Sequence, residues 1–126
     1  MANVLIWADI PVIDMERARA FYGELLQVEM MEVPGTGGNV AIPPSESGPI
    51  AFDLAKSEQL TPCANGVTIY FGSAGDIEGM SQRAVSAGGR IESPATDMGP
   101  MVGVIAFIID TEGNRIGIRQ PSAQGH

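Results

Sequence analysis

Residues 104–118 read Val-Ile-Ala-Phe-Ile-Ile-Asp-Thr-Glu-Gly-Asn-Arg-Ile-Gly-Ile, and this stretch decides the fold. Its first six residues are mostly β-branched or aromatic, which is typical of a buried strand. The polar residues 110–114 interrupt the apolar run, and Gly113 and Asn114 accept the positive φ angles of a tight turn. After the turn, isoleucines alternate with residues of the opposite face, which are Arg115, Gly117 and Arg119. The stretch therefore predicts a β-hairpin with one apolar face.

A strand and an amphipathic helix are predicted near the start of the chain. Residues 4–12 alternate with period two, which places on one face Trp7, Asp9 and Pro11. Asp14 can cap the free amides of a helix over residues 15–26. The apolar residues of that helix form a stripe for packing on a sheet: Met15, Ala18, Phe21, Tyr22, Leu25 and Leu26. Short strands are then predicted at 28–33, 39–42 and 50–54.

The second half of the chain repeats this order of elements. A strand is predicted at residues 66–71, Asp76 opens a helix at about 76–87, and Gly88 fits its end. A strand beginning at Ile91 and the hairpin complete the half. The pattern predicts a single domain over residues 1–126, built from two βαβββ modules at 1–60 and 66–121.

This arrangement resembles the vicinal-oxygen-chelate superfamily, which includes the glyoxalases and the bleomycin-resistance proteins. The resemblance lies in the strand followed by an Asp14-capped helix, and in the final Asp-Thr-Glu-Gly-Asn hairpin at residues 110–114. It implies an α+β glyoxalase-like fold whose two modules form a curved mixed sheet around a cleft, with the helices outside. It also implies a homodimer.

The resemblance further implies four metal-ligand positions, on the first and last strands of each module. Metal-dependent relatives carry His, Gln or Glu there, which suit divalent transition metals. In this chain those positions hold Trp7, Ala51 or Asp53, Thr68 or Ile69, and Gly117. The sole histidine, His126, is terminal. The expectation is therefore a protein without a metal or another cofactor, unless an atypical site exists.

Two aspartates offer an alternative use of the cleft. Asp9 shares the face of Trp7, and Asp53 could reach the same cleft from the fourth strand. A pair of carboxylates could bind a hard cation weakly or act as acid and base. The competing interpretation is that each aspartate is merely exposed or hydrogen-bonded at the end of a strand.

Aromatic and basic residues give the remaining site candidates. An apolar pocket for a planar or cationic ligand could be lined by Trp7, Tyr70, Phe71 and Met101, although the same residues could fill a core. Arg119 is the candidate for binding an anion. The alternative is that it lies at the rim of the cleft or forms a salt bridge. Glu112 lies in the hairpin turn and is expected to face solvent.

Composition narrows the classes of function. The 126 residues carry a net charge of −8, and the few basic residues are scattered, so a nucleic-acid partner is not expected. No apolar run approaches the roughly 20 residues that a membrane-spanning helix needs. The N-terminus does not resemble a signal peptide, so a cytoplasmic location is predicted. Cys63 has no basic neighbour in sequence and is expected to be a passive thiol.

Two functions are consistent with these features. The first is a metal-free protein that binds a small organic molecule, in the manner of a bleomycin-resistance protein that sequesters its ligand. The second is an enzyme, either a glyoxalase-type lyase or a related isomerase or dioxygenase with an atypical site. The fold alone cannot decide between them, because one scaffold hosts many chemistries.

Overall fold

A computed structural model describes residues 4–44 and 48–123. In chain order, the first half contains β1 (Ala8–Pro11), α1 (Met15–Leu26), β2 (Met31–Glu32), β3 (Val40–Ile42) and β4 (Phe52–Ala55). The second half contains β5 (Ile69–Gly72), α2 (Ile77–Ser86), β6 (Arg90–Asp97), β7 (Val104–Ile109) and β8 (Arg115–Gln120). Each half thus has the βαβββ order that the sequence predicts.

The strands form two four-stranded mixed sheets with the same topology. The strand order is β1-β4-β3-β2 in the first sheet and β5-β8-β7-β6 in the second. The first and last strands of each module are parallel, and the other neighbours are antiparallel. This confirms the predicted α+β, glyoxalase-like fold. It also leaves β1 and β5 at the edges of their sheets.

Both helices begin at the predicted aspartates. The Asp14 carboxylate accepts a hydrogen bond from the Arg17 amide at 3.1 Å, and the Asp76 carboxylate accepts one from Gly79 at 3.0 Å. Such caps satisfy amides that a helix leaves without intrahelical partners. Gly88 follows α2 with a φ of 102°, a conformation that glycine adopts at little cost. In the part of the chain that the structure describes, neither helix could cross a membrane.

One apolar core joins the two halves. Four residues of the α1 stripe are buried, namely Ala18, Phe21, Tyr22 and Leu25, and Met15 and Leu26 are partly buried against them. Phe21 and Tyr22 are in edge-to-face contact, with 4.9 Å between the ring centres. Both sheets contribute to the same cluster, with Ile10 from the first and Ile118 from the second. Because α1 also contacts α2, the core is continuous between the modules.

The hairpin turn holds three distant segments together. The Asp110 carboxylate accepts the amides of Glu112 and Asn114, which fixes the shape of the turn. The Asn114 side chain donates to the Pro11 carbonyl at 2.8 Å and accepts from the Cys63 amide at 3.1 Å. The turn thereby ties the end of β1 and the connector between the modules to the second sheet.

Glu112 is buried, so the prediction that it faces solvent is wrong. Its carboxylate accepts the amides of Ile13 and Asp14 at 2.7 and 2.8 Å, and it pairs with Arg17 at 2.7 Å. Burial alone would raise the pKa of Glu112, but these hydrogen bonds outweigh it and hold the pKa at about 2. The residue therefore anchors α1 to the hairpin.

Several predicted strands are shorter in the structure. Pairing of β1 begins only where the Ala8 amide donates to Ala51, because its partner β4 starts at Phe52. Residues 4–7 therefore have no strand partner among residues 4–44 and 48–123. Val4, Leu5 and Ile6 have 75%, 81% and 77% of their surface exposed, which is unusual for consecutive apolar residues.

Candidate functional site

Two neighbouring cavities lie between residues of the β1 and β5 regions. The larger, of about 650 Å³, is mainly apolar, and its lining includes Leu5, Ile6, Leu26, Phe52, Thr68, Tyr70 and Phe71. The smaller, of about 430 Å³, is more polar, and its lining includes Asp9, Pro11, Cys63, Asn114 and Arg115. Five residues line both cavities, namely Leu5, Trp7, Ala8, Val67 and Ile69. We call the two cavities together the inter-sheet crevice.

Trp7 stands where the two cavities meet. It directly precedes β1, and no described strand pairs with it. Its ring is 43% exposed, and its indole N–H donates to Asp53 Oδ2 at 3.3 Å. A half-exposed indole with a satisfied polar end gives a rigid apolar surface that a ligand can contact from either cavity.

Asp9 and Asp53 form a carboxyl pair beneath Trp7. The parallel register of β1 and β4 places them side by side on one face of the sheet. Asp53 is only 7% exposed, and its Oδ1 atom is buried without a hydrogen-bond donor among the described residues. Burial and the neighbouring Asp9 carboxyl raise the pKa of Asp53 to about 6, although the bond from Trp7 acts in the opposite direction. This carboxyl can therefore gain or lose a proton near neutral pH.

The aromatic ring of Tyr70 covers Gly117. The parallel register pairs the two residues on β5 and β8, and a Cβ atom added at Gly117 would lie 2.3 Å from a ring carbon of Tyr70. Only glycine fits beneath this ring as it is placed. Tyr70 also packs edge to face on Phe107, with 5.9 Å between the ring centres.

Arg115 extends this aromatic surface. Its guanidinium carbon lies 3.7 Å from the centre of the Phe107 ring, which is a cation–π geometry. The same group pairs with Glu92 at 2.6 Å and donates to Thr68 Oγ1 at 3.3 Å. The positive charge of Arg115 is therefore partly neutralised before any ligand arrives.

The residues present do not fit the metal that the family resemblance implies. Within residues 4–44 and 48–123, no three His, Cys, Asp or Glu side chains lie close enough to hold an ion. The first-strand position holds Trp7, and the space above Gly117 is occupied by Tyr70. His126 lies outside the described residues.

The structure brings together most of the predicted site residues. Trp7, Asp9, Thr68 and Tyr70 line the crevice, whereas Asp53 lies behind its wall beside Asp9, and Gly117 lies beneath Tyr70. Met101 does not join them, because it is 94% exposed in the turn before β7 and lines neither cavity. Arg119 also lines neither cavity, and its guanidinium Nε donates to the Val102 carbonyl at 2.6 Å.

Arg115 is the residue that sequence reasoning missed. Period-two alternation places it on the face of Gly117 and Arg119, so the pattern was sufficient to nominate it. Its position directly after the hairpin turn makes it resemble a solvent-facing residue of the turn. The structure instead places it in the wall of the smaller cavity.

Comparison with known proteins agrees with this fold. The model of the Glyoxalase/Bleomycin resistance protein/Dioxygenase superfamily matches residues 4–118. A search of curated protein sequences gave no match. Among solved structures, a glyoxalase-related enzyme from Fulvimarina pelagi is 16% identical with a TM-score of 0.71, over 100% of this chain and 96% of that one.

Two further structures are similar over nearly their whole length. TioX from Micromonospora sp. ML1 is 17% identical with a TM-score of 0.67, over 94% of this chain and 99% of that one. TnmS3, an antibiotic binding protein from Streptomyces sp. CB03234, is 22% identical with a TM-score of 0.63, over 97% and 99%. At these identities the likeness concerns the fold. Since the family model covers residues 4–118, the chain belongs to the glyoxalase/bleomycin resistance protein/dioxygenase superfamily.

Proposed function

We propose that the protein binds a small organic molecule in the inter-sheet crevice without a metal ion. The observation that carries the proposal is the position of Trp7 between an apolar cavity of about 650 Å³ and a smaller one of about 430 Å³ whose wall includes Asp9 and Arg115. Cavities of several hundred Å³, lined mainly by apolar groups with a few polar ones, suit drug-sized ligands. Such a ligand would place its apolar body near Tyr70 and a polar end near Asp9.

Sequestration is the mode of action that we favour. The similar structure TnmS3 is described as an antibiotic binding protein, which supports a comparable role here. The crevice is formed by side chains that offer contact area more than reactive groups. Trp7 supplies a broad aromatic surface, and Cys63 has an exposed thiol without a basic group bonded to it.

An enzymatic role is the second candidate, and one observation favours it. The raised pKa of Asp53 puts a proton-transfer group beside the crevice at nearly neutral pH. A lyase or isomerase could use such a carboxyl as an acid or base without a metal. The fate of the ligand distinguishes the two functions. A sequestering protein binds its ligand and releases it unchanged, whereas an enzyme converts it.

Replacement of Trp7 by alanine should weaken ligand binding by about tenfold or more. The indole offers a large stacking surface, and loss of such a contact costs about 1.5 to 2 kcal/mol. Trp7 is the only tryptophan, so its emission reports binding of a panel of aromatic amines, alcohols and acids to the wild type. Calorimetry then compares the variant. Met101→Ala, which alters a residue outside both cavities, should bind as the wild type does. If no member of the panel changes the emission, the proposal fails.

Protein purified without chelators should contain no stoichiometric nickel, zinc or iron. The donors at the family positions are poor ligands, and Tyr70 fills the space above Gly117. Elemental analysis of the purified protein and calorimetric titration with each ion measure this directly. A tightly held ion whose binding is lost on changing Trp7 and Asp53 would overturn the metal-free part of the proposal.

We further propose that the protein is a homodimer in which a second copy packs on Val4 and the open edge of β1. Consecutive exposed apolar residues beside the open edge of β1 would otherwise invite nonspecific pairing. Sedimentation velocity should detect a dimer, and Val4→Lys should shift it towards monomer while the matched change Val85→Lys on α2 does not. A wild-type protein that stays monomeric over the full accessible concentration range would exclude the dimer.

A cytoplasmic location stays a prediction.

A further inference from the structure

We propose that the Asp9–Asp53 pair receives the positively charged nitrogen of the ligand, so that the ligand class is an organic ammonium ion with an aromatic or apolar body. This inference rests on the proposed binding function and makes it more specific. It starts from the Oδ1 atom of Asp53. That atom is buried in a residue only 7% exposed, and no donor reaches it among the described residues.

A buried carboxylate oxygen without a donor is costly, because it loses water and gains nothing in return. Carboxylate oxygens only accept hydrogen bonds, so the missing partner must bring a proton. The other oxygen of Asp53 is already occupied by the indole N–H of Trp7. The neighbouring carboxyl of Asp9 cannot supply a donor unless the pair holds a proton. Without a shared proton, the two carboxylates hold adjacent negative charges that only a nearby cation can compensate.

The geometry allows a ligand to reach the pair through Asp9. Asp9 is exposed and lines the smaller cavity, whereas Asp53 lies beside it across the parallel register. A ligand ammonium would donate to Asp9, and its positive charge would stabilise the ionised form of Asp53 behind the cavity wall. Because both carboxylates attract the same cation, the bound cation also relieves the repulsion between them.

The other charged groups around the pair do not cancel this attraction. Arg115 lines the same cavity, but its guanidinium is paired with Glu92 at 2.6 Å and lies over Phe107. The neighbour of β4 on its other side is β3, Val40–Ile42, which has no charged residue. Cys63, in the connector, is the remaining titratable group in the cavity wall. The net charge of −8 adds a long-range attraction for cations.

The larger cavity can hold the apolar part of this ligand beside the Asp9–Asp53 pair. The larger cavity shares Trp7 with the smaller one and continues towards Tyr70 and Phe71. An aromatic ring in that cavity and an ammonium group at Asp9 would together use both cavities. A neutral alcohol of the same shape could fill the apolar cavity but would leave the paired negative charges uncompensated.

The test compares 2-(2-naphthyl)ethylamine with 2-(2-naphthyl)ethanol by calorimetry at pH 7.5. The amine should bind the wild type on the order of tenfold more tightly, as expected for a charge-assisted hydrogen bond in a partly enclosed site. Asp9→Asn should reduce amine binding to about the level of the alcohol. Glu78→Gln, which removes the same charge from an exposed position on α2, should leave both affinities as in the wild type.

A second readout separates the pair from a merely structural role. The amine and the shared proton exclude one another, so amine affinity should rise as the pH increases through about 6, while alcohol affinity stays constant. Asp53→Asn keeps the shape of the side chain and a hydrogen-bond donor for Asp9, but it cannot ionise. The amine affinity of this variant should therefore not change as the pH passes through about 6. Equal affinity of the wild type for amine and alcohol would refute the ammonium assignment and leave the binding function standing. Failure of both probes to bind would overturn both.

Discussion

Glu112→Ala is expected to lower the free energy of unfolding by about 3 kcal/mol. The substitution leaves the amides of Ile13 and Asp14 without their acceptor at the start of α1 and removes the partner of Arg17. Each unsatisfied buried donor costs about 1 to 3 kcal/mol, with some of that cost recovered where water can enter. Denaturant unfolding of wild type and variant measures the difference. Glu24→Ala, an exposed change on the same helix, should alter stability by less than about 0.5 kcal/mol.

Glu112 should also determine how the stability of the protein changes at acidic pH. Its pKa is about 2 in the folded chain and 4.5 for the ordinary side chain, so the folded state favours the ionised form. This stabilisation is complete above pH 4.5 and is lost as the pH falls towards 2. Glu112→Gln should therefore flatten the fall in stability over that range. A variant with unchanged stability and an unchanged acid profile would contradict the role of Glu112 as an anchor for α1.

Gly117→Glu is expected to destabilise the fold by about 3 kcal/mol, although it introduces the residue type that the family resemblance implies at this position. The new Cβ atom would meet the Tyr70 ring at 2.3 Å, so the ring must leave its place on Phe107. Overpacking of this kind costs about 1 to 3 kcal/mol, and the displaced aromatic contact adds to that cost. Chemical denaturation of the purified variant gives the loss.

A double-mutant cycle isolates the contact between the two residues. In a Tyr70→Ala background the space above Gly117 is open, so the same Gly117→Glu change should cost less than about 1 kcal/mol. Gly117→Ala is the matched control, because it adds only the Cβ atom that meets the Tyr70 ring. This change should also cost less stability in the Tyr70→Ala background. Equal losses in the two backgrounds would show that Tyr70 does not impose the glycine.

Local patterns were sufficient to predict much of the architecture. Asp14 and Asp76 begin the two helices as expected, because a cap depends on residues within one turn. The hairpin at residues 104–118 followed from alternation interrupted by Gly113 and Asn114. The ends of β1 were predicted less well, since a strand ends where its partner does, and the partner lies more than 40 residues away.

The details of the crevice depend on contacts that periodicity cannot supply. Alternation put Trp7 and Asp9 on one face, but only the register of β1 and β4 places Asp53 beside Asp9. Likewise, the fit of Tyr70 over Gly117 needs the register of β5 and β8. Glu112 was assigned to solvent because its partners at the start of α1 are 98 and 99 residues away.

The hairpin at residues 110–114 also constrains the order in which the chain can fold during synthesis. The Asn114 side chain donates to the carbonyl of Pro11, 103 positions earlier, and Glu112 accepts the amides of Ile13 and Asp14 just before α1. A ribosome releases the first module long before it makes these partners. The amides of Ile13 and Asp14 therefore stay bound to water until the hairpin at residues 110–114 has emerged. Despite the repeated architecture, the first half obtains its final anchors from residues that are translated 98 to 103 positions later.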